Sequence, residues 1–268
     1  MSNYKDTFKG SARYYARYRE GYPDEFFELL KSKFTLSEND RVLDLGCGTG
    51  QIAVPLAGSV KEVVAMDPEP EMIAEGKEQA TSGSLNNITW IVGGSEDLPD
   101  LGDKLGRFKL VTIGTAFHWM DRKNTLDELF ELISGDGGIA IAWNDSIWSG
   151  NAHKWQTEVR EIIRKYLGEE RRAGSGTYNV VPIKHEEFIA ESSFKKMETW
   201  NHHRVRSVTL DELIGNLYST SMANPFVLGE KKDAFESELR QALARLNYSD
   251  SFRSEGDVEA ILAWKQDA

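Results

Sequence analysis

The chain has 268 residues, of which 40% are hydrophobic and 28% charged, and its formal net charge is -11. These proportions are ordinary for a globular protein, and the length allows one large domain with an elaboration. The acidic balance argues against broad affinity for nucleic acids or anionic membranes. The single cysteine, Cys47, excludes an intrachain disulfide framework. With no leader-like N-terminus and no apolar run of about 18 residues, the sequence predicts a cytoplasmic protein.

Aromatic and basic residues dominate the beginning of the chain, in the run SARYYARYREGYPDEFFELLKSKF. Helices are predicted over 10–19 and 23–33, because Pro23 suits a first helical turn. Tyr14 and Tyr18 are four residues apart, so they share one helix face. Segment 1–34 is therefore predicted to be a helical cap, or lid.

Short apolar runs alternate with helical segments over the next hundred residues. Strands are predicted at 41–45, 62–66, 88–92, 109–114 and 138–143. Helices are predicted between them at 50–57, 69–80 and 123–133. This alternation indicates a parallel sheet with helices on both faces.

Beyond residue 145 the pattern changes to longer and less regular segments. Predicted here are helices at 151–167, 209–221 and 230–246, a loop at 168–184, and strands at 196–208 and 257–265. The helix at 209–221 begins with a capping box formed by Thr209 and Glu212.

The first predicted strand runs into a glycine-rich turn with Gly46, Gly48 and Gly50. Alternate glycines at a strand end let the backbone turn tightly and approach a ligand closely. A dinucleotide fingerprint needs its third glycine one place later, where this chain has Gln51. Asp44 would repel a pyrophosphate and favour a ligand that carries an ammonium or a sulfonium.

Polar residues also follow the next three predicted strands: Asp67 after the second, Ser95 and Glu96 after the third, and His118 after the fourth. Asp67 closes the second, where a carboxylate can accept both hydroxyls of a ribose, although it could instead cap the following helix. The fourth strand leads to His118 and Trp119, at the sheet edge where ligands bind. A histidine there suits proton removal near neutral pH, or the pair could simply wall the pocket.

The glycine turn with Asp44, the acidic strand end and the later turns together resemble class I S-adenosylmethionine-dependent methyltransferases. The sequence segments SARYYARYREGYP and HWMD are similar to those of the small-molecule branch that includes trans-aconitate-type methyltransferases. The resemblance is good through residue 145 and weak afterwards. It implies an α/β fold: a doubly wound, mostly parallel, Rossmann-like sheet of seven strands, with 257–265 inserted antiparallel, an N-terminal helical lid and an insertion after the fifth strand.

The resemblance also implies an activity and a site. S-adenosylmethionine would be the methyl donor and S-adenosylhomocysteine the product, with O- or N-methylation of a small molecule, such as a carboxylate or a phenol. The residues expected to bind the cofactor are Asp44, Gly46, Cys47, Gly48, Gly50, Gln51, Asp67, Pro68, Met72, Ser95, Glu96, Thr115, Tyr14, Tyr18 and Arg19. Those expected on the acceptor side are His118, as the catalytic candidate, with Trp119, Trp143, Asn144, Trp148 and Tyr218. No metal site is predicted.

The organisation expected is a single methyltransferase domain over 1–268. Its parts are the cap 1–34, a cofactor-binding half 35–145, an acceptor-side insertion 145–208, and C-terminal helices with the last strand at 209–268. The alternatives are an NAD-dependent oxidoreductase, against which the glycine spacing argues, and a non-catalytic S-adenosylmethionine-binding protein. Nucleic acid and membrane partners are not expected, and the sequence is silent on oligomeric state.

Overall fold

The structure, a computed structural model, describes residues 6–145, 153–170, 172–177, 184–246 and 251–266. Within them the α-helices are α1 Ala12–Tyr18, α2 Asp24–Lys33, α3 Ala53–Ala57, α4 Pro70–Ser82, α5 Leu98–Leu105, α6 Arg122–Leu132, α7 Lys154–Leu167, α8 His185–Ala190, α9 Leu210–Tyr218, α10 Pro225–Leu228 and α11 Lys232–Arg245. The strands are β1 Arg41–Leu45, β2 Glu62–Asp67, β3 Ile88–Val92, β4 Phe108–Gly114, β5 Ile133–Asn144, β6 Arg172–Ala173, β7 Gly176–Thr177, β8 Lys196–Thr209 and β9 Ser251–Trp264.

Among the described residues, seven strands form one sheet in the order β3-β2-β1-β4-β5-β9-β8, and β6 pairs with β7 in a separate hairpin. The first five strands pair in parallel. β9 runs antiparallel to β5, since Lys265 N donates to Gly137 O while Asp145 N donates to Asp257 O. The predicted doubly wound, mostly parallel sheet with an inserted last strand is confirmed.

The central strands are apolar because both of their faces are covered. Val42 of β1 belongs to an apolar cluster with α2 and α3, whereas its neighbour Leu43 belongs to a cluster with α5 and α6. Neighbouring residues of a strand point to opposite faces, so one strand serves two cores. This packing holds the carboxyl ends of β1, β2 and β4 at one edge of the sheet.

Several predicted boundaries were wrong, for local reasons. The helix expected at 50–57 begins at Ala53, because the glycine-rich turn continues through the preceding residues. The strand expected at 138–143 begins earlier, at Ile133, and its register against β4 shifts between Phe108 and Leu110. α5, whose first turn contains Pro99, and the β6–β7 hairpin were not predicted.

The chain divides into two compact units, Met1–Arg19, Asn144–Asn179 and His202–Val258 forming one, and Glu20–Trp143, Val180–Asn201 and Glu259–Ala268 the other. The first is called the cap unit here and the second the sheet unit. The segment predicted as one N-terminal cap is divided between them, with α1 in the cap unit and α2 in the sheet unit. The cap unit has its own apolar core, centred on Val159, Phe235 and Leu239. No helix of the described residues combines the length and apolar character that crossing a membrane requires.

Candidate functional site

The turn after β1 adopts a backbone that favours glycine at every second residue. Gly46, Gly48 and Gly50 have φ values of +73°, +54° and +91°, in the left-handed region where a side chain is strained. The amides of Gly46 and Cys47 both donate to Met66 O, at 2.8 and 3.0 Å, which ties the turn to the end of β2. A Cβ at Gly46 would lie 2.5 Å from Ala116 Cβ, so the turn also presses against the chain after β4.

Trp90 packs against Gly50 and explains one further glycine, Gly76. Trp90 of β3 places Cη2 2.9 Å from where a Cβ at Gly50 would be and 2.5 Å from one at Gly76. Glycine in the middle of α4 costs helix stability, and this indole gives the packing reason for it. The indole of Trp90, from β3, thus packs against both the glycine turn and α4.

Asp44 lies at the centre of this edge and is 1% exposed. Its Oδ1 accepts from the Thr112 hydroxyl at 2.8 Å, and its Oδ2 accepts from the Ala53 amide at 3.0 Å. Burial raises the pKa of Asp44 to about 7, against the two hydrogen bonds, which lower it. Asp44 therefore joins β1, β4 and the first turn of α3, in addition to the cofactor role predicted for it.

Asp67 also spans two segments of the chain. Its Oδ2 accepts from Gly48 N and its Oδ1 from Glu69 N, both at 2.9 Å. The residue that caps α4 is Glu69, whose side chain accepts from Glu71 N, so the alternative of Asp67 as that cap is wrong. Burial raises the pKa of Asp67 to about 6, the two amide bonds lower it, and the charge of Glu69 raises it further.

The turn after β3 contains Ser95 and Glu96, both predicted to contact the cofactor. Its shape depends on a residue that the sequence reading missed, Asp97, whose Oδ2 accepts from Gly94 N at 2.8 Å. Gly93 N donates to Asp67 O at 3.0 Å, which fixes this turn beside the end of β2. Glu96 is exposed and Ser95 half-buried.

The other predicted cofactor residues lie around these turns. Gln51 donates from Nε2 to Thr49 Oγ1 at 2.8 Å, and the buried Cys47 has its thiol pKa raised by burial and by the charges of Asp67 and Asp44. Pro68 is exposed beside Asp67, whereas Met72 is 2% exposed within α4.

The backbone after β4 is strained at Thr115, a β-branched residue with φ of +53°. Its amide donates to Ala142 O at 2.7 Å. The Tyr22 hydroxyl lies 3.2 Å from Thr115 Oγ1 and donates to the same Ala142 carbonyl at 3.4 Å. Such strain costs on the order of 1–3 kcal/mol and persists where the surroundings enforce it, often at functional sites. Tyr22, which was not predicted, holds this turn.

His118 and Trp119 follow in a short 3-10 turn, with ring centroids 4.6 Å apart. Both are half-buried, whereas Phe117 before them is 1% exposed. Phe117 packs edge-on against His185, at 5.2 Å between ring centroids, and Trp143 at the end of β5 packs on the same histidine at 5.5 Å. His185 carries no local sequence signal, yet it lies beside the ends of β4 and β5.

The remaining predicted residues belong to the cap unit or are not described. Tyr14 packs edge-on against Tyr218 at 5.2 Å, and the ring of Tyr18 packs on Gly215. Tyr218 is 2% exposed and donates its hydroxyl to Glu236 at 2.8 Å. Two further predicted residues lie in this unit. The guanidinium carbon of Arg19 is 5.3 Å from the centre of the Tyr15 ring, and Asn144 Oδ1 accepts from Arg204 at 3.4 Å. Trp148 lies outside the described residues, and the ligand roles of all these residues stay predictions.

Comparison with known proteins supports one family for the strand-and-turn region. Residues 42–137 match a family model described as a methyltransferase domain. An uncharacterized methyltransferase of Schizosaccharomyces pombe is 28% identical over 60% of this chain and 61% of its own length. A second S. pombe protein, described as uncharacterized and methyltransferase-like, is 24% identical over 92% of this chain and 91% of its own. The chain thus spans about three fifths of the first relative.

Solved structures show the same fold at low sequence identity. A proposed methyltransferase from Bacillus halodurans superposes with a TM-score of 0.56 at 16% identity, covering 91% of this chain and all of its own. A proposed type II methyltransferase from Anaeromyxobacter dehalogenans also gives 0.56, at 20% identity over 92% of this chain and 97% of its own. The family match thus covers residues 42–137, the relatives are named as methyltransferases, and the solved structures share the fold.

Proposed function

We propose that the chain transfers a methyl group from S-adenosylmethionine to a small-molecule acceptor. The observation that carries this proposal is the coupling of the glycine turn to Asp67, whose carboxylate accepts the Gly48 amide at 2.9 Å. A carboxylate offers about four acceptor positions, and the two amides occupy two of them. The other two suit the hydroxyl pair of a ribose.

The charge of this sheet edge suits the same ligand. Asp44 and Asp67 both lie in surroundings that disfavour ionisation, so the pKa of each carboxyl is raised. A nearby cation would favour their ionised forms, and binding would gain from that interaction. When bound, S-adenosylmethionine would supply a sulfonium cation and an electrophilic methyl group for in-line displacement. The chain's own residues would then hold the reactants in line and exclude water.

His118 and Trp119 are proposed to face the acceptor, since they follow β4 at the edge where ligands of such sheets bind. His118 would remove a proton if the acceptor atom carries one, as a phenol does, whereas for a carboxylate it would only wall the pocket. The aromatic rings of Trp119 and Trp143 suit a planar or partly apolar acceptor. Together with the N-terminal segment SARYYARYREGYP, these two rings support a small-molecule methyltransferase similar to the trans-aconitate-type branch.

Titration calorimetry with S-adenosylmethionine and S-adenosylhomocysteine tests the proposal. We expect micromolar binding, about -8 kcal/mol, and a loss of about tenfold or more in Asp67→Ala, because hydrogen bonds to a charged group contribute about 1.5–3 kcal/mol. Asp136→Asn is the matched control, since it removes an exposed carboxylate that pairs with Lys109. Thermal unfolding of each variant shows whether it folds.

Failure to bind either compound, or binding of NAD in their place, would refute the proposal. Tight binding without turnover of any carboxylic acid, phenol or amine would favour the non-catalytic alternative. Equal affinity in Asp67→Ala and the unmodified chain would refute the ribose assignment alone.

A further inference from the structure

His185 lies among aromatic and basic side chains of the sheet unit. It is the first residue of α8, and its ring packs edge-on against Phe117 and Trp143 at 5.2 and 5.5 Å. Phe117 directly precedes His118, and Trp143 is the penultimate residue of β5. His185 is therefore placed beside the residues proposed to face the acceptor, although it is distant from them in sequence.

The guanidinium of Arg122 decides which nitrogen of His185 carries the proton. Arg122 Nη1 lies 3.5 Å from His185 Nδ1. A guanidinium has donors only, so Nδ1 must accept and the proton of the neutral imidazole must sit on Nε2. Arg122 is 8% exposed, and its guanidinium carbon lies 4.0 Å from the centre of the Phe188 ring, which fixes the cation in place.

The same surroundings keep His185 neutral. Burial and the charge of Arg122 lower the pKa of His185, while the carboxylate of Glu186 acts in the opposite direction. A neutral imidazole with its proton on Nε2 cannot act as a base through that nitrogen. It can only donate a hydrogen bond, and the cation behind it polarises the ring and strengthens the donor.

We infer that His185 determines acceptor specificity, by donating a hydrogen bond from Nε2 to an anionic oxygen of the acceptor, a carboxylate or a phenolate. Arg122 is the positioning residue that holds the donating tautomer. The inference rests on the proposed methyl transfer and narrows its acceptor class. An ammonium acceptor would meet both a hydrogen-bond donor and a nearby positive charge, so it would be disfavoured.

Long-range proton–nitrogen NMR on the full chain with S-adenosylhomocysteine tests the tautomer first. We expect His185 to be protonated on Nε2 alone at pH 7, and Arg122→Gln to raise its pKa. His203 is an internal reference, because its Nδ1 lies 2.7 Å from the Asp257 carboxylate and so carries a proton. A proton on Nδ1 of His185, or a charged ring at pH 7, would overturn the inference.

Titration with benzoate, 4-nitrophenolate and benzylammonium tests the acceptor class. Benzoate or 4-nitrophenolate should shift the Nε2 signal of His185, and His185→Phe should weaken its binding about tenfold, as expected for a charge-assisted hydrogen bond. His185→Gln, which keeps an amide donor, should restore part of the affinity, and His203→Gln should leave it unchanged. S-adenosylhomocysteine affinity should be the same in all of these variants.

The two proposals fail in different ways. A His185 signal that responds to neither anion, or equal binding of benzylammonium, would overturn the acceptor inference while the cofactor still binds. Failure of the unmodified chain to bind S-adenosylhomocysteine would overturn the proposed function, and this inference with it.

Discussion

Replacing Asp44 by asparagine should remove a pH-dependent cost from the folded state. The pKa of Asp44 is raised from an ordinary value near 3.8 to about 7 by burial. Between about pH 4 and pH 7 the native state therefore holds a proton that the unfolded state has lost, so the free energy of unfolding falls as pH rises. A shift of about three units at 1.36 kcal/mol each amounts to about 4 kcal/mol. Above pH 7 the full cost is present.

Asparagine can satisfy the same neighbours without a charge. Its oxygen would accept from Ala53 N, and its amide would donate to the Thr112 hydroxyl, which can turn to Leu43 O at 3.4 Å. The difference in unfolding free energy between Asp44→Asn and the unmodified chain should therefore shift in favour of the variant by about 4 kcal/mol from pH 4 to pH 8.

Urea unfolding followed by tryptophan fluorescence, at one-unit steps from pH 4 to pH 8, measures that difference. Groups common to both chains cancel, so the slope reports on position 44. Asp136→Asn should show a nearly flat difference above pH 5, because Lys109 lowers the pKa of that exposed carboxyl and its titration lies below this range. A flat profile for Asp44→Asn would refute the assignment of a raised pKa, and with it the proposed dependence on burial.

Other expected outcomes concern packing, strain and ligand affinity. Gly76→Ala should lower the free energy of unfolding in urea by about 1–3 kcal/mol, because the new Cβ would meet the Trp90 indole at 2.5 Å. The control Gly58→Ala, whose Cβ meets nothing within 4 Å, should be neutral or stabilising. Equal effects of the two changes would contradict the packing argument. Tyr22→Phe should lower the free energy of unfolding by about 0.5–1.5 kcal/mol, because it removes the hydroxyl that bonds to the strained turn at Thr115. An unchanged midpoint in thermal or urea unfolding would show that the hydroxyl does not hold that turn. S-adenosylhomocysteine affinity of the unmodified chain should fall as pH drops below about 6, since the carboxylate form of Asp67 is the acceptor; a calorimetric affinity independent of pH between 5 and 8 would count against it.

The features that the sequence predicted well are those encoded by neighbouring residues. The strand, the three glycines and the acidic residue at the next strand end lie within 27 residues, from 41 to 67, and each signal has a local cause. The mostly parallel sheet was also predicted correctly, because strands joined by crossover helices of this length pair in parallel. The bounds of β1 and β3 were predicted to the residue.

What the sequence did not predict depends on contacts between distant segments. His185 gains its meaning from Arg122 and Trp143, which lie 63 and 42 positions earlier in the sequence. Tyr22 acts on Thr115, 93 residues away. The sequence suggested an acceptor contact for Tyr218. Only the fold shows that this tyrosine is buried and that its hydroxyl donates a hydrogen bond to Glu236. A single histidine or tyrosine carries no local pattern that separates these cases.

The insertion of β9 between β5 and β8 has a consequence for how the chain folds as it is synthesised. β8 joins the sheet only through β9, which starts at Ser251, whereas β8 ends at Thr209. While the ribosome makes the intervening helices, β5 and β8 both present unpaired backbone, the kind of edge through which nascent chains aggregate. Chaperone dependence should therefore be greatest in that interval and should fall once β9 has emerged and paired with both β5 and β8.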